Sequence, residues 1–327
     1  MSERQLISDF KGNEYIQGVY AIQNCQLGQT KNGKPFLKCM IGDKSGRTPG
    51  RMWNATQSLF DSLPTDGFVY LQGNTQPYQG QVQIIIQNIK SHDPSAEDLA
   101  QLLPCTRFNM DDMYGEVVGM LEEVSHPALK ALMMTYLEDG DLMTKFRRAP
   151  AAMALHHAFL GGLLEHTLQL MRLAKSICPL YPQINGEIVL CGLFLHDLGK
   201  CVELQWDSGF SYSDEGQLIG HIARGAIWLE QKAGDCRAMG HELPDALVMV
   251  LQHIILSHHG RPEFGAAKLP STPEAILCNL IDNIDAKMQM ANAAAGRDKD
   301  LPHAGGNFTE KVWALETRIY KPDPTKM

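Results

Sequence analysis

The chain has 327 residues, enough for two domains and a substantial core. Its 44% apolar and 20% charged residues are ordinary for a soluble protein. No apolar run approaches membrane-spanning length, and no signal-peptide pattern opens the chain. Eight scattered cysteines without a CxxC pair, two of them (Cys191 and Cys278) inside apolar runs, fit reduced thiols in the cytoplasm rather than a disulfide framework. The net charge of −8 is uneven. Residues 1–95 carry nine Lys/Arg against seven Asp/Glu, a net of +2, and the remainder twenty against thirty, a net of −10. Residues 31–51 alone hold six basic groups and one acidic group. Such a basic segment suits an anionic polymer held at one end, and equally suits a solvated strand face.

In chain order, the first signals are strands. Apolar and polar residues alternate in Tyr15–Ile22, Pro35–Ile41, Phe68–Leu71 and Gln81–Gln87. Turn residues separate them at Lys31-Asn-Gly33, Asp43-Lys-Ser-Gly46 and Pro64-Thr-Asp-Gly67. About five short strands in some 80 residues predict a small closed barrel. The stretch from Asn32 to Arg47, with Arg51-Met-Trp53, resembles the central strands of nucleic-acid-binding OB-folds, where aromatics stack on bases and basic residues follow the backbone. Phe36, Trp53 and Tyr78 are the stacking candidates; Phe36 and Trp53 read equally well as barrel core.

His92-Asp-Pro-Ser95 reads as a linker, which places an OB-fold domain at 1–95 and a second domain at 96–327. Beyond it the periodicity becomes helical. Helices are predicted at 112–124, 127–138, 150–157, 161–177, 186–196, 216–235, 243–257, 273–294 and 308–319, making the second domain an all-α bundle with a loose tail from Lys321.

Residues 196–200 read His-Asp-Leu-Gly-Lys and follow the apolar run Ile188–Leu195, a buried helix that carries the pair inward. An adjacent His-Asp can put an imidazole nitrogen and a carboxylate oxygen on one metal ion and leave the second oxygen for another. Further candidate ligands, His166, His221, His258 or His259, and Asp282 or Asp285, each lie in or at the end of an apolar helical segment. Ligands converging from separate helices are how helical folds build metal centres. Of the aspartates, Asp282 lies deeper in the apolar run. Asp285 then becomes an acceptor for a ligating imidazole. Mixed nitrogen and oxygen donors suit Mn, Fe, Co, Ni or Zn. Two such ions lower the pKa of a bridging water, supply hydroxide at neutral pH and hold phosphate oxygens. Lys200 would set a cation against a non-bridging phosphate oxygen, or cap helix-end carbonyls after Gly199. Arg224 and Arg261 are further candidates for phosphate contact.

The order His…His-Asp…His…His…Asp resembles the HD-domain phosphohydrolases. The resemblance implies one ion on His166, His196, Asp197 and Asp282, and a second on His221 and His258 with Asp197 bridging. Longer matches narrow it: Pro150-Ala-Ala, His156-His157 through Leu168, His196–Lys200, Ser257–Gly260 with Glu263-Phe-Gly265, and Pro270 through Met288 are similar to the YhaM-type exoribonucleases. That family joins an OB-fold to an HD domain. It implies 3′-to-5′ hydrolysis of single-stranded RNA, or of single-stranded DNA, with two divalent ions, usually Mn. His156 and His157 belong to the matched motif as pocket or structural residues. A second reading is a phosphohydrolase of a small nucleotide, its barrel regulating the enzyme or joining copies into a homo-oligomer. A third is a single-strand-binding protein with an inert helical scaffold.

Overall fold

Alternating side chains close residues 15–91 into a barrel of five strands: β1 (Tyr15–Gln29), β2 (Pro35–Asp43), β3 (Gly46–Trp53), β4 (Gly67–Tyr78) and β5 (Gln81–Ser91). The computed structural model describes residues 5–30, 32–65, 67–78, 81–153, 157–206, 210–296 and 306–325. His156 therefore lies outside the described residues. The strand order is β1-β2-β3-β5-β4, closing back on β1. The β3–β5 pairing is parallel and the others are antiparallel. This is the OB-fold. A bulge between Gln23 and Gln26 bends β1, so that its first half pairs with β4 and its second half with β2. Ile16, Tyr20, Ile22, Leu37, Ile41, Val69, Leu71 and Ile84 fill the interior. A short helix, α1 (Gln57–Asp61), is capped by Thr56 and precedes β4.

Two compact units divide the chain: Met1–Cys105 with Gln205–Ser211, and Thr106–Leu204 with Tyr212–Met327. The first takes in helix α2 (Ala96–Leu102), which starts at a Ser95–Asp98 capping box and packs on β1 and β2. The contacts thus place residues 96–105 with the barrel, beyond the linker read at 92–95.

The second unit is built from helices α3 (Met110–Glu122), α4 (Pro127–Leu137), α5 (Gly140–Arg148), α6 (Gly162–Ile177), α7 (Gly186–Leu195), α8 (Lys200–Glu203), α9 (Asp214–Leu218), α10 (Gly220–Ala238), α11 (Asp245–Ser257) and α12 (Pro273–Ala295). Two-residue strands β6 (Leu204–Gln205) and β7 (Ser211–Tyr212) pair between α8 and α9. Helix α7 is the centre of this unit. Every residue from Val189 to Leu195 is buried, and Phe194 meets Tyr136 and Phe146 edge-on at 6.2 and 5.7 Å.

Two predicted helices are corrected. Residues 150–153 and His157 are not helical. The helix lies upstream as α5, started by the Asp139 cap and stopped where Ala149 turns extended before Pro150. Residues 308–319 form a hairpin, β8 (Phe308–Val312) and β9 (Thr317–Tyr320), that packs on α12. Its β-branched residues and the cross-strand Phe308–Tyr320 ring pair at 5.3 Å favour strands over a helix. Among the described residues no helix is long and apolar enough to cross a membrane.

Candidate metal centre

Five elements of the helical unit bring their polar side chains to one buried point. His166 comes from α6, His196 and Asp197 from the turn after α7, and His221 from the first turn of α10. His258 and His259 follow α11, and Asp282 comes from α12. Asp197 is only 3% exposed. Its Oδ2 lies 3.4 Å from His196 Nε2, 3.9 Å from His166 Nε2 and 2.8 Å from Lys200 Nζ. Its Oδ1 faces the other way, 3.4 Å from His221 Nε2 and 3.5 Å from His258 Nε2. On the first side Asp282 completes the group, 3.3 Å from His166 Nε2. The carboxylate thus has one set of imidazoles at each oxygen.

Each ring is fixed through its other nitrogen. His196 Nδ1 lies 2.6 Å from the Leu193 carbonyl and His258 Nδ1 2.8 Å from that of Ile255. His259 Nδ1 lies 2.7 Å from the Phe264 carbonyl. His166 Nδ1 lies 2.7 Å from Asp285 Oδ2, and His221 Nδ1 2.9 Å from Glu203 Oε1. An Nδ1–H donated to these oxygens turns the Nε2 atoms toward the centre. Asn279 adds a 2.6 Å bond to the His258 carbonyl.

These atoms fit divalent ions. Among the described residues, His196 Nε2, His221 Nε2, His258 Nε2 and Asp197 Oδ1 are buried without a hydrogen-bond partner, a costly state for buried polar atoms. Their mutual distances of 3.4–3.5 Å exceed a hydrogen bond. They match two donors at about 2.1 Å from a shared ion, which lie roughly 3.0–3.4 Å apart. Two four-atom or three-atom groups within coordination reach share Asp197: His166 with His196, and His221 with His258 and His259. His258 and His259 both lie within reach of Asp197 and His221, His258 nearly fully buried and His259 half-buried.

Burial disfavours the charged imidazolium at His258 and His259. Burial keeps the His258 pKa below the usual imidazole value, and burial together with neighbouring His258 pushes His259 down to about 4. Burial opposes charge on His166 too, but its bonds to Asp282 and Asp285 push it up to about 9. Burial would raise Asp197, yet Lys200 and His196 hold it well below the carboxylate range.

Of the other predicted site residues, Lys200 bonds into this cluster and the rest lie around or apart from it. Lys200 caps no helix end; it bonds Asp197 and, at 2.8 Å, the Ala151 carbonyl. Arg224 is ion-paired with Glu215 and lies over the Trp228 ring. Arg261 is exposed in the turn after α11. His157 does not line a pocket: it is 3% exposed and bonded to Asp285. Glu203 escaped the sequence reading; its signal was a lone carboxylate three residues past Lys200. On the barrel, Phe36 and Trp53 are cross-strand partners on the outer face, ring centroids 5.6 Å apart, with Trp53 45% exposed. Lys38 and Arg51 are the next outward pair, and the Arg51 guanidinium lies 5.4 Å over the half-exposed Tyr78 ring.

The HD domain family matches residues 163–287, the span that holds every ligand candidate. A 3′-5′ exoribonuclease YhaM from Listeria innocua serovar 6a is 34% identical over 330 residues, covering 98% of this chain and 99% of that protein. The chain belongs to the YhaM family. Among solved structures, the second OB-fold domain of replication protein A from Methanococcus maripaludis is 16% identical at a TM-score of 0.23, covering 28% of this chain and 96% of that one. PriB from Ralstonia solanacearum is 14% identical at a TM-score of 0.21, covering 24% and 98%.

The glycine of the His-Asp-Leu-Gly-Lys motif has a direct role in this geometry. A Cβ on Gly199 would lie 2.1 Å from the His221 carbonyl oxygen, so only glycine lets α10 approach the dyad. Gly199→Ala is expected to push His221 away from Asp197. Titration calorimetry with Mn²⁺ should then show one binding step weakened about 10–100-fold. Two unaltered steps in a folded variant would contradict the assigned geometry.

Proposed function

We propose that the chain is a 3′-to-5′ exoribonuclease that hydrolyses phosphodiester bonds of single-stranded RNA, working in the cytoplasm with two divalent ions, Mn²⁺ first among them. The observation that carries this reading is the Asp197 carboxylate with unpartnered imidazole nitrogens on both sides. His166, His196, Asp197 and Asp282 would hold one ion; His221, His258 and Asp197 the other, with His259 beside it. Bound there, such ions activate water and neutralise charge on a phosphate.

The chain's own residues do the rest. Asp285 and Glu203 hold His166 and His221 by their Nδ1 atoms, so the donors need no rearrangement. Lys200 lies in a low-exposure position beside Asp197, where its cation can turn to a non-bridging phosphate oxygen. On the barrel, Trp53, Phe36 and Tyr78 offer ring faces to unpaired bases, and Lys38 and Arg51 follow the phosphates. Single-strand contacts on the barrel raise the local concentration of the chain end near the ions, which a hydrolase of free nucleotides does not need.

End-labelled single-stranded RNA with Mn²⁺ tests the reading. Stepwise shortening from the 3′ end is expected, abolished by a chelator and by Asp197→Ala, which removes the ligand common to both ions. Inert RNA with turnover of a small nucleotide would move the assignment to a nucleotide phosphohydrolase. Trp53→Ala is expected to weaken binding of a long RNA about 5–100-fold, from stacking worth roughly 1–3 kcal/mol per base, with dinucleotide hydrolysis unchanged. Equal loss on both substrates would count against the barrel face.

Proton release supplies a pH test. His166, raised to about 9, is protonated at neutral pH in the ion-free protein, and an ion on Nε2 must displace that proton. Mn²⁺ affinity at this position should therefore tighten as pH rises, by up to about tenfold per unit below 9. Titrations at pH 7 and 8 that give equal affinity would show His166 already neutral.

A further inference from the structure

His157 sits behind the centre, and its bonds converge on one half of it. Its Nε2 lies 2.9 Å from Asp285 Oδ2, the same oxygen that lies 2.7 Å from His166 Nδ1. One carboxylate oxygen accepting from two imidazoles is within its lone-pair capacity, and the two donors together fix its direction. All three side chains are buried.

The His157 backbone is held as firmly. Its φ of 49° is left-handed, a conformation that a non-glycine residue keeps only when its surroundings impose it. The His157 carbonyl accepts from Phe159 N at 2.9 Å and from Ala151 N at 3.1 Å. A Cβ on Gly162 would lie 2.1 Å from that carbonyl oxygen, so the start of α6 is shaped to admit it. The Ala151 carbonyl in turn accepts from Lys200 Nζ, which bonds Asp197 Oδ2 at 2.8 Å. A continuous series of bonds therefore runs from His166 through Asp285, His157, Ala151 and Lys200 to Asp197. The other half takes its orientation elsewhere: His221 from Glu203 and His258 from the Ile255 carbonyl.

We propose that His157 is a positioning residue for one ion only: by fixing Asp285 it preforms the place shared by His166, His196 and Asp282, and it leaves the place at His221 and His258 untouched. The proposal rests on the two-ion reading above. It touches no substrate; its effect passes through Asp285.

The test is Mn²⁺ binding to the full chain, by titration calorimetry and by electron paramagnetic resonance, for wild type, His157→Ala and His157→Gln. The glutamine amide can donate from near the Nε2 position. His157→Ala is expected to weaken one binding step about 10–100-fold and leave the other unchanged. The exchange-coupled two-manganese spectrum should give way to that of an isolated ion, and His157→Gln should restore both to within a few-fold. If His157→Ala does not fold, His157→Asn, too short to reach Asp285, replaces it. Two unchanged steps in a folded variant would overturn the proposal. So would equal weakening of both steps in the alanine and glutamine variants alike, which marks a packing defect, or loss of a third ion, which would make His157 a ligand. Fewer than two ions on wild type would overturn the two-ion reading itself, and that outcome is separate from any effect of the variants.

Discussion

A carboxylate buried at 3% exposure among imidazoles is the constraint on which the helical unit is built. Removing Asp197 from water is unfavourable unless positive charge answers each oxygen. Lys200 answers Oδ2, and among the described residues no group hydrogen-bonds Oδ1. The surrounding features serve that arrangement. The buried apolar stretch Val189–Leu195 of α7 delivers the dyad to the interior, Gly199 lets α10 close in, and Glu203 and Asp285 hold the rings that face the carboxylate. The arrangement gives up local stability for a preformed binding geometry, a trade expected of a functional centre rather than of a core.

Much of this was legible in the residue order. The ligand candidates stand in apolar helical segments, and a buried polar group in such a segment needs a partner, which is why the set could be named before any fold was seen. The barrel was legible from alternation and turns. Alternation alone does not say which face closes inward, so Phe36 and Trp53 stayed open between core and surface; the Leu37–Met52 pair beside them turns to the interior and settles it. Direction within the helical unit was not legible either. His157 points to Asp285 because its backbone adopts a left-handed turn, which no periodicity signals. Helix α5 was missed because it buries only Leu142, Met143 and Phe146, while the apolar residues after Pro150 imitate a helix. The 308–320 hairpin was read as helical because its apolar residues recur at three and four positions, and the pairing that makes it a hairpin is a tertiary fact.

The two units answer different parts of one problem. The barrel carries a row of outward rings with basic residues beside them. The helical unit carries a compact set of imidazole and carboxylate donors held by their neighbours. Membership of the YhaM family joins the two on one chain across nearly its whole length.

Anomalous diffraction from crystals of the Mn²⁺-loaded protein measures the central claim most directly. The account predicts two peaks about 3.5–4 Å apart, on opposite sides of the Asp197 carboxylate, one against His166, His196 and Asp282 and the other against His221 and His258. A single peak, or peaks away from Asp197, would contradict it.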